Sequence, residues 1–175
     1  MTKPILIPAW VDGKLTPVEK LHAHTHGLKH QAVSVFVMNR GQILLQQRAA
    51  HKYHTPNLWA NTCCTHPDWD EDPAQCATRR LDEELGIKGL HCEHRGQLEY
   101  RADVGGGMIE HEVVDVYLAN APDDLSFAAN PDEVQATRWV APSDLNHDIA
   151  ADPAQFTPWL QIYMAKHITT ILGSN

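Results

Sequence analysis

The stretch DPAQCATRRLDEELG, from Asp72 to Gly86, carries both the start and the stop of a helix and so commits the middle of the chain. Asp72 is a good N-cap, Pro73 suits the first helical position, and Gln75 completes a capping box with Asp72. Gly86 stands where a left-handed C-terminal residue belongs. These signals predict a helix over residues 73–85. At about 100° per residue, Ala74, Ala77, Leu81 and Leu85 form an inward stripe. Arg80 and Glu84 lie along one edge of that stripe, whereas Arg79, Asp82 and Glu83 point away. An i,i+4 pair such as Arg80 and Glu84 is by itself worth only a few tenths of a kcal/mol, roughly, so its meaning depends on what flanks it.

The flanks have the composition of strands. AVSVFVM over 32–38 and QILLQQ over 42–47, joined by Asn39-Arg40-Gly41, predict a hairpin. Strands are also expected at 96–102, at 110–119 beyond Gly105-Gly106-Gly107, and at ATRWVA near 140. A small edge hairpin is expected around Asp12-Gly13. Lys20 opens the segment LHAHTHGLKH, which has neither clean period and predicts a loop wrapped over the fold. A helical turn begins near Pro142. A last helix starts at Thr157-Pro158, with Trp159, Ile162, Tyr163 and Ile168 available to pack inward. Strands and helices in this order predict an α+β fold.

A chain of 175 residues, 43% hydrophobic, is long enough for one core and short for two, so residues 1–175 are expected to form a single domain. No apolar run approaches the roughly 18 residues of a membrane helix, and the N-terminus lacks a leader, so a cytoplasmic protein without membrane insertion is expected. The net charge of -8 argues against nucleic acid as a partner. An anionic small molecule remains possible where local cations or a metal reverse the sign. The four cysteines do not form a secreted framework, since neighbours Cys63 and Cys64 bridge each other only with strain, and reduced thiols are expected.

Twelve histidines are the compositional outlier, and His22, His24, His26 and His30 crowd together near the start. Metal ligation is the sharper explanation and surface histidines the plainer one. In WANTCCTHP, Cys64 and His66 stand two apart just before the capped helix; a lone cysteine is usually a small core residue, and one histidine beside it makes no zinc site. In EHEVVDVYLA, Glu110 and Glu112 continue the face of Val114, Val116 and Leu118. Two carboxylates on an apolar face need a cationic partner, and a metal is the simplest. Arg48 and Lys52 lie on the polar loop leading to this region.

Read together, THPDWDEDPAQCATRRLDEELGI places Glu71, Arg79, Glu83, Glu84, Gly86 and Ile87 at the spacing of the Nudix box. Thr65 stands for its first glycine and Arg80 for the glutamate after Arg79, which counts against pyrophosphate hydrolysis. The same departure, with VEK at 18–20, HT at 24–25, R-x3-K at 48–52, NTCCTHP at 61–67, EYRA at 99–102, EHE at 110–112 and TPW at 157–159, resembles the type I isopentenyl-diphosphate isomerases. The resemblance runs over about residues 18–160. It implies a Nudix-like fold with mixed β-sheet sandwiched between helices, and a monomer acting on a small diphosphate. It implies Cys64 and Glu112 as the acid–base pair on opposite faces of the substrate, with Tyr100 donating through Glu112. A metal site of His24, His30, His66, Glu110 and Glu112 follows, with His22 or His26 as alternatives to His24. Imidazole and carboxylate donors suit Mn²⁺ or Zn²⁺ there, or Fe²⁺. Glu84 and the main-chain carbonyl of Cys64 are implied as the site where Mg²⁺ arrives with the diphosphate. Lys20, Arg48, Lys52 and Arg80 are implied to hold the diphosphate oxygens. Tyr100 and Trp159 offer π faces to a carbocation.

Overall fold

The computed structural model describes residues 4–173. Its organising strand is β3 (Lys29–Asn39), a run in which buried residues follow one another almost without a break. A strand buried on both faces must be apolar on both, which explains the near-continuous AVSVFVM. Along one edge β3 pairs in parallel with β8 (Met108–Asn120), from Lys29 opposite His111 to Met38 opposite Asn120. Its other edge is shared. Ala9 of β1 (Leu6–Val11) lies opposite His30, β6 (Cys63–Thr65) covers Val33 to Val35, and β4 (Gln42–Arg48) meets Met38 and Asn39. β2 (Lys14–Glu19) pairs with β1, β7 (Glu93–Gly105) with β8, and β5 (Trp59–Ala60) and β9 (Val134–Val140) with β4. The result is a nine-stranded mixed sheet among the described residues.

Alternation along the strands splits the core into two layers. On one face Ala32 and Phe36 join Val114, Val116 and Leu118 under the C-terminal segment. That segment runs through α4 (Pro158–Ile162), a π-helical turn (Tyr163–His167) and α5 (Ile168–Leu172), and buries Trp159, Leu160 and Tyr163; Leu145 of α3 (Pro142–Ala151) joins them. On the opposite face Val33, Val35 and Val37 pack with Tyr117 and Ala119 against α2 (Pro73–Leu85). The sheet is thus held between helices in the expected α+β arrangement.

The capping signals of α2 act as expected. The Asp72 side chain accepts from the amides of Ala74 and Gln75, and Gly86 closes the helix at φ 65°. Two details differ from the sequence reading. The buried arc is Cys76, Ala77, Leu81, Glu84 and Leu85, while Ala74 in the first turn is exposed. The arc turns toward the edge that carries Glu84, a direction that apolar residues alone do not indicate. The histidine segment is not a loop at its start: α1 (Lys20–Thr25) is a short helix, capped by Glu19 accepting from the amides of Leu21 and His22. A single turn of helix is too short to display a period, and its cap is not one of the usual short side chains. No helix among the described residues is long and apolar enough to cross a membrane.

At Gly86 the left-handed backbone coincides with close packing, since an added Cβ would lie 3.1 Å from the Ala128 carbonyl oxygen. Gly86→Ala is expected to cost about 1–2 kcal/mol in urea unfolding; an unchanged midpoint would contradict this account of the helix end.

Candidate active site

Sheet register builds the site. Ser34 faces Cys64 across β3 and β6, His30 faces Glu112 across β3 and β8, and Tyr100 faces Glu112 across β7 and β8. Positions 30 and 34 of β3 share the face of Ala32 and Phe36, so these groups all emerge on the side covered by the C-terminal helices. The same alternation separates the two adjacent cysteines. Cys63 is fully buried in the α2 layer, whereas Cys64 is half-buried and opens onto the cleft. All the cysteines are free.

Cys64 Sγ lies 2.8 Å from Asn61 Oδ1, to which it donates, and 3.2 Å from Ser34 Oγ. Asn61 is itself locked by donating to Ser34 Oγ, at 2.9 Å, and to the Val35 carbonyl, at 3.0 Å. Burial pushes the thiol well above its ordinary range, with the Glu112 and Glu110 charges adding, so it stays protonated at neutral pH.

The histidines converge from different elements. His24 is fully buried inside α1, while His22 and His26 stack on each other at the surface with ring centroids 4.0 Å apart. Of these three, only His24 joins a cluster of potential donors: it, His30, His66 and Glu112 offer ligand atoms all within 4.8 Å of one another. The Nδ1 groups of His24 and His30 donate to the Lys20 and Leu28 carbonyls, each at 2.7 Å. A carbonyl only accepts, so the neutral ring keeps its lone pair on Nε2, and both Nε2 atoms are buried without a partner. His30 Nε2 faces Glu112 Oε1 at 3.5 Å. Two acceptors facing each other in a buried site call for a proton or a cation between them, and this donor set fits a divalent ion. His66 Nε2 lies 3.0 Å from the same Glu112 oxygen.

Tyr100 Oη sits 2.8 Å from Glu110 Oε2 and 2.7 Å from Glu112 Oε2. One hydroxyl proton serves only one of them, so in the metal-free protein the other contact needs a protonated carboxyl. Burial, and then the charge of Glu112, push Glu110 well up; burial also opposes ionisation of Glu112, but the imidazoles of His30 and His66 outweigh it and hold its pKa well below the usual range. The geometry thus reads as a proton chain from Glu110 through Tyr100 to an ionised Glu112.

Cations crowd the mouth. Lys20, Arg48, Lys52 and Arg80 line the same cleft as Cys64, Tyr100, Glu110, Glu112, Glu84 and Trp159. Burial lowers Lys20 to about 8, and repulsion from Arg80, Lys52 and Arg48 adds to the effect. Arg80 donates to Glu84 Oε1 at 2.6 Å, and Gln46 donates to Glu84 Oε2 at 2.8 Å. One face of Trp159 already receives the Arg48 guanidinium, 5.3 Å from the ring centroid. Arg79 belongs to a separate outer lattice, paired with Glu71 and Glu83.

Every residue singled out in the sequence as catalytic, metal-binding or substrate-binding therefore lies in or directly behind one cleft. Sequence reasoning missed two residues there. Glu133, just before β9, pairs with Lys52 and approaches Arg80 at 3.6 Å. No local pattern marks it. His54 is 5% exposed and lies within reach of Glu110. Its signal was its place two residues after Lys52, in a chain already rich in histidine.

The NUDIX domain model matches residues 28–160, which places the chain in the Nudix family. Among solved structures, a protein from Deinococcus radiodurans superposes with a TM-score of 0.73 over 92% of this chain and 97% of its own, at 16% identity, a likeness of fold alone. An isopentenyl-diphosphate Delta-isomerase from Roseobacter denitrificans is 62% identical over 97% of this chain and 96% of its own. One from Cereibacter sphaeroides is 60% identical over the same shares. Within the Nudix family, the chain belongs to the isopentenyl-diphosphate Delta-isomerases.

The buried imidazoles make the metal-free protein acid-sensitive. Burial lowers His24 from 6.5 to about 4 and holds His54 and His66 still lower. An unfolded chain therefore binds these protons first. Glu110, raised by burial, opposes them with one proton. Net of Glu110, stability drains as pH falls from ~6.5 toward ~4, by about 1.4 kcal/mol per pH unit for each net proton. Urea unfolding of chelator-stripped protein at pH 7, 5.5 and 4.5 should follow this slope, and a flat profile would contradict it.

Proposed function

We propose that this isomerase interconverts isopentenyl diphosphate and dimethylallyl diphosphate, with Cys64 and Glu112 as the two proton-handling groups. The observation that carries the reading is that a thiol donating to Asn61 and a carboxylate held by Tyr100 open onto one cleft that four cations line. Moving the double bond requires a proton to be added at one carbon and another removed elsewhere. The charge developed between these steps is a tertiary carbocation. Cys64 serves one side of the carbon chain and Glu112 the other; because the reaction is reversible, each donates in one direction and accepts in the other. Tyr100 passes a proton to or from Glu112. Tyr100 and Trp159, which both line the cleft, present π density to the cation without a lone pair that would trap it.

Lys20, Arg48, Lys52 and Arg80 hold the diphosphate oxygens, which explains how a chain of net charge -8 binds an anion. Arg80 also argues for isomerisation over hydrolysis, because a guanidinium bound to Glu84 stands where a Nudix hydrolase needs a carboxylate. Glu84 and the Cys64 carbonyl would receive Mg²⁺ with the diphosphate. His24, His30, His66, Glu110 and Glu112 would hold Mn²⁺ or Zn²⁺, which on binding supplies the positive charge that fixes the ionised state of Glu112. The cleft encloses about 40 Å³ with the side chains as they stand, room for a few waters, so the Glu133 bridge to Lys52 and Arg80 must part to admit the substrate. We read the protein as a monomeric, single-domain enzyme of the cytoplasm, since the cleft needs no group from a second copy.

Incubation of metal-loaded protein with isopentenyl diphosphate, following allylic product and free phosphate together, tests the reading. Allylic product without phosphate is expected. Phosphate without allylic product would make the protein a hydrolase. Cys64→Ala and Glu112→Gln should each abolish turnover with the fold intact by circular dichroism, and an active Cys64→Ala protein would end the two-base account. Cys63→Ala should keep its activity and lose about 1 kcal/mol of stability, since that side chain only packs. Lys20 predicts the alkaline limb: binding of Mg²⁺-pyrophosphate should weaken as pH rises through about 8, because the ammonium deprotonates there. A profile unchanged up to pH 9 would exclude that role.

A further inference from the structure

His54 is buried in the cleft and has no part in the donor set that the family implies. Its Nδ1 lies 2.9 Å from the Thr55 hydroxyl, and Nε2 turns inward to within 3.7 Å of Glu110 Oε1. In the tautomer that donates Nδ1–H to Thr55, Nε2 presents its lone pair to that carboxylate, the same opposition of acceptors seen at His30 and Glu112. The ring is held on two sides. It stacks on His24, centroids 5.6 Å apart and 24° between planes, and meets Trp159 edge-on at 6.1 Å.

His24, His54 and Glu110 offer donor atoms within 4.8 Å of one another, and His24 also belongs to the group of His30, His66 and Glu112. The two groups share His24, and Glu110 belongs to the one that contains His54. Around an octahedral ion with bonds of about 2.1 Å, neighbouring donors lie about 3.0 Å apart and opposite donors about 4.2 Å apart. Pair by pair, the 3.0 and 3.5 Å from His66 and His30 to Glu112 and the 3.7 Å from His54 to Glu110 fall within that range.

Resting on the reading of the cleft as a metal centre, we propose that His54 is a further ligand of the same ion, which is then enclosed by four imidazoles and two carboxylates. Such a shell leaves no position for water. That matters for chemistry through a carbocation, because water held close to the reacting carbons would capture it. The imidazole-rich shell also favours Zn²⁺ or Co²⁺ over Mg²⁺.

Water-proton relaxation of the Mn²⁺-loaded full-length wild-type protein tests this without a variant: no exchanging water on the ion is expected. His54→Ala should admit one such water and weaken Mn²⁺ binding by at least about tenfold in competition with a chelator, and added imidazole should restore the affinity. A wild-type ion that carries exchanging water would overturn the proposal, as would a folded His54→Ala protein with unchanged affinity and relaxation. Should that variant not fold, the wild-type measurement decides alone. Failure of the wild type to take up Mn²⁺ or Zn²⁺ at all would overturn the metal-centre reading itself, a result distinct from loss of the His54 contact.

Discussion

An imidazole nitrogen and a carboxylate oxygen 3.5 Å apart, both buried and both presenting lone pairs, define what the rest of this structure must supply. His30 and Glu112 are put there by the parallel register of β3 and β8, so neither can withdraw without breaking the sheet. His24 repeats the situation from α1, with its Nδ1 tied to the backbone and its Nε2 bare. In the metal-free protein, a proton retained on the Glu110–Tyr100–Glu112 chain reduces the crowding of negative charge. A divalent ion would remove it. The interior thus sacrifices stability at its centre, and the two apolar layers on either side of the sheet offset that loss.

Charge is laid out along the cleft in the same logic. Carboxylates and imidazoles form the floor, cations the mouth, and Cys64 stands between them on β6. The mouth is not left bare: Glu84 and Glu133 occupy Arg80 and Lys52. Those carboxylates limit the mutual repulsion of the cations and set them at the height where a diphosphate would replace Glu133. The thiol is kept neutral by burial and oriented by Asn61 and Ser34, a setting suited to a positioned acid rather than a free nucleophile.

Much of this was legible in the sequence. The α2 caps, the β-branched and aromatic runs around Asn39-Arg40-Gly41 and the Glu110–Glu112 face are local, and local signals survive into the fold. The separation of Cys63 from Cys64 was also implicit, since adjacent strand residues must point to opposite faces. What could not be read depends on tertiary placement. A single helical turn at Lys20–Thr25 shows no period, so only the resemblance at His24-Thr25 ranked His24 above His22 and His26; the helix turns one ring inward and stacks the other two outside. Cys76 entered the core because the buried arc of α2 had to include Glu84. Glu133 and His54 belong to segments without periodicity, brought to the cleft by the pairing of β9 with β4 and by the loop after β4.

The central claim is that sheet register assembles a buried donor cluster whose lone pairs are reconciled by one divalent cation. Anomalous diffraction from crystals of the protein loaded with Mn²⁺ or Zn²⁺ measures this most directly. A single strong peak enclosed by His24, His30, His66 and Glu112 is the predicted result. Loaded crystals with no peak there, or with the metal bound only at surface histidines such as His22 and His26, would contradict it.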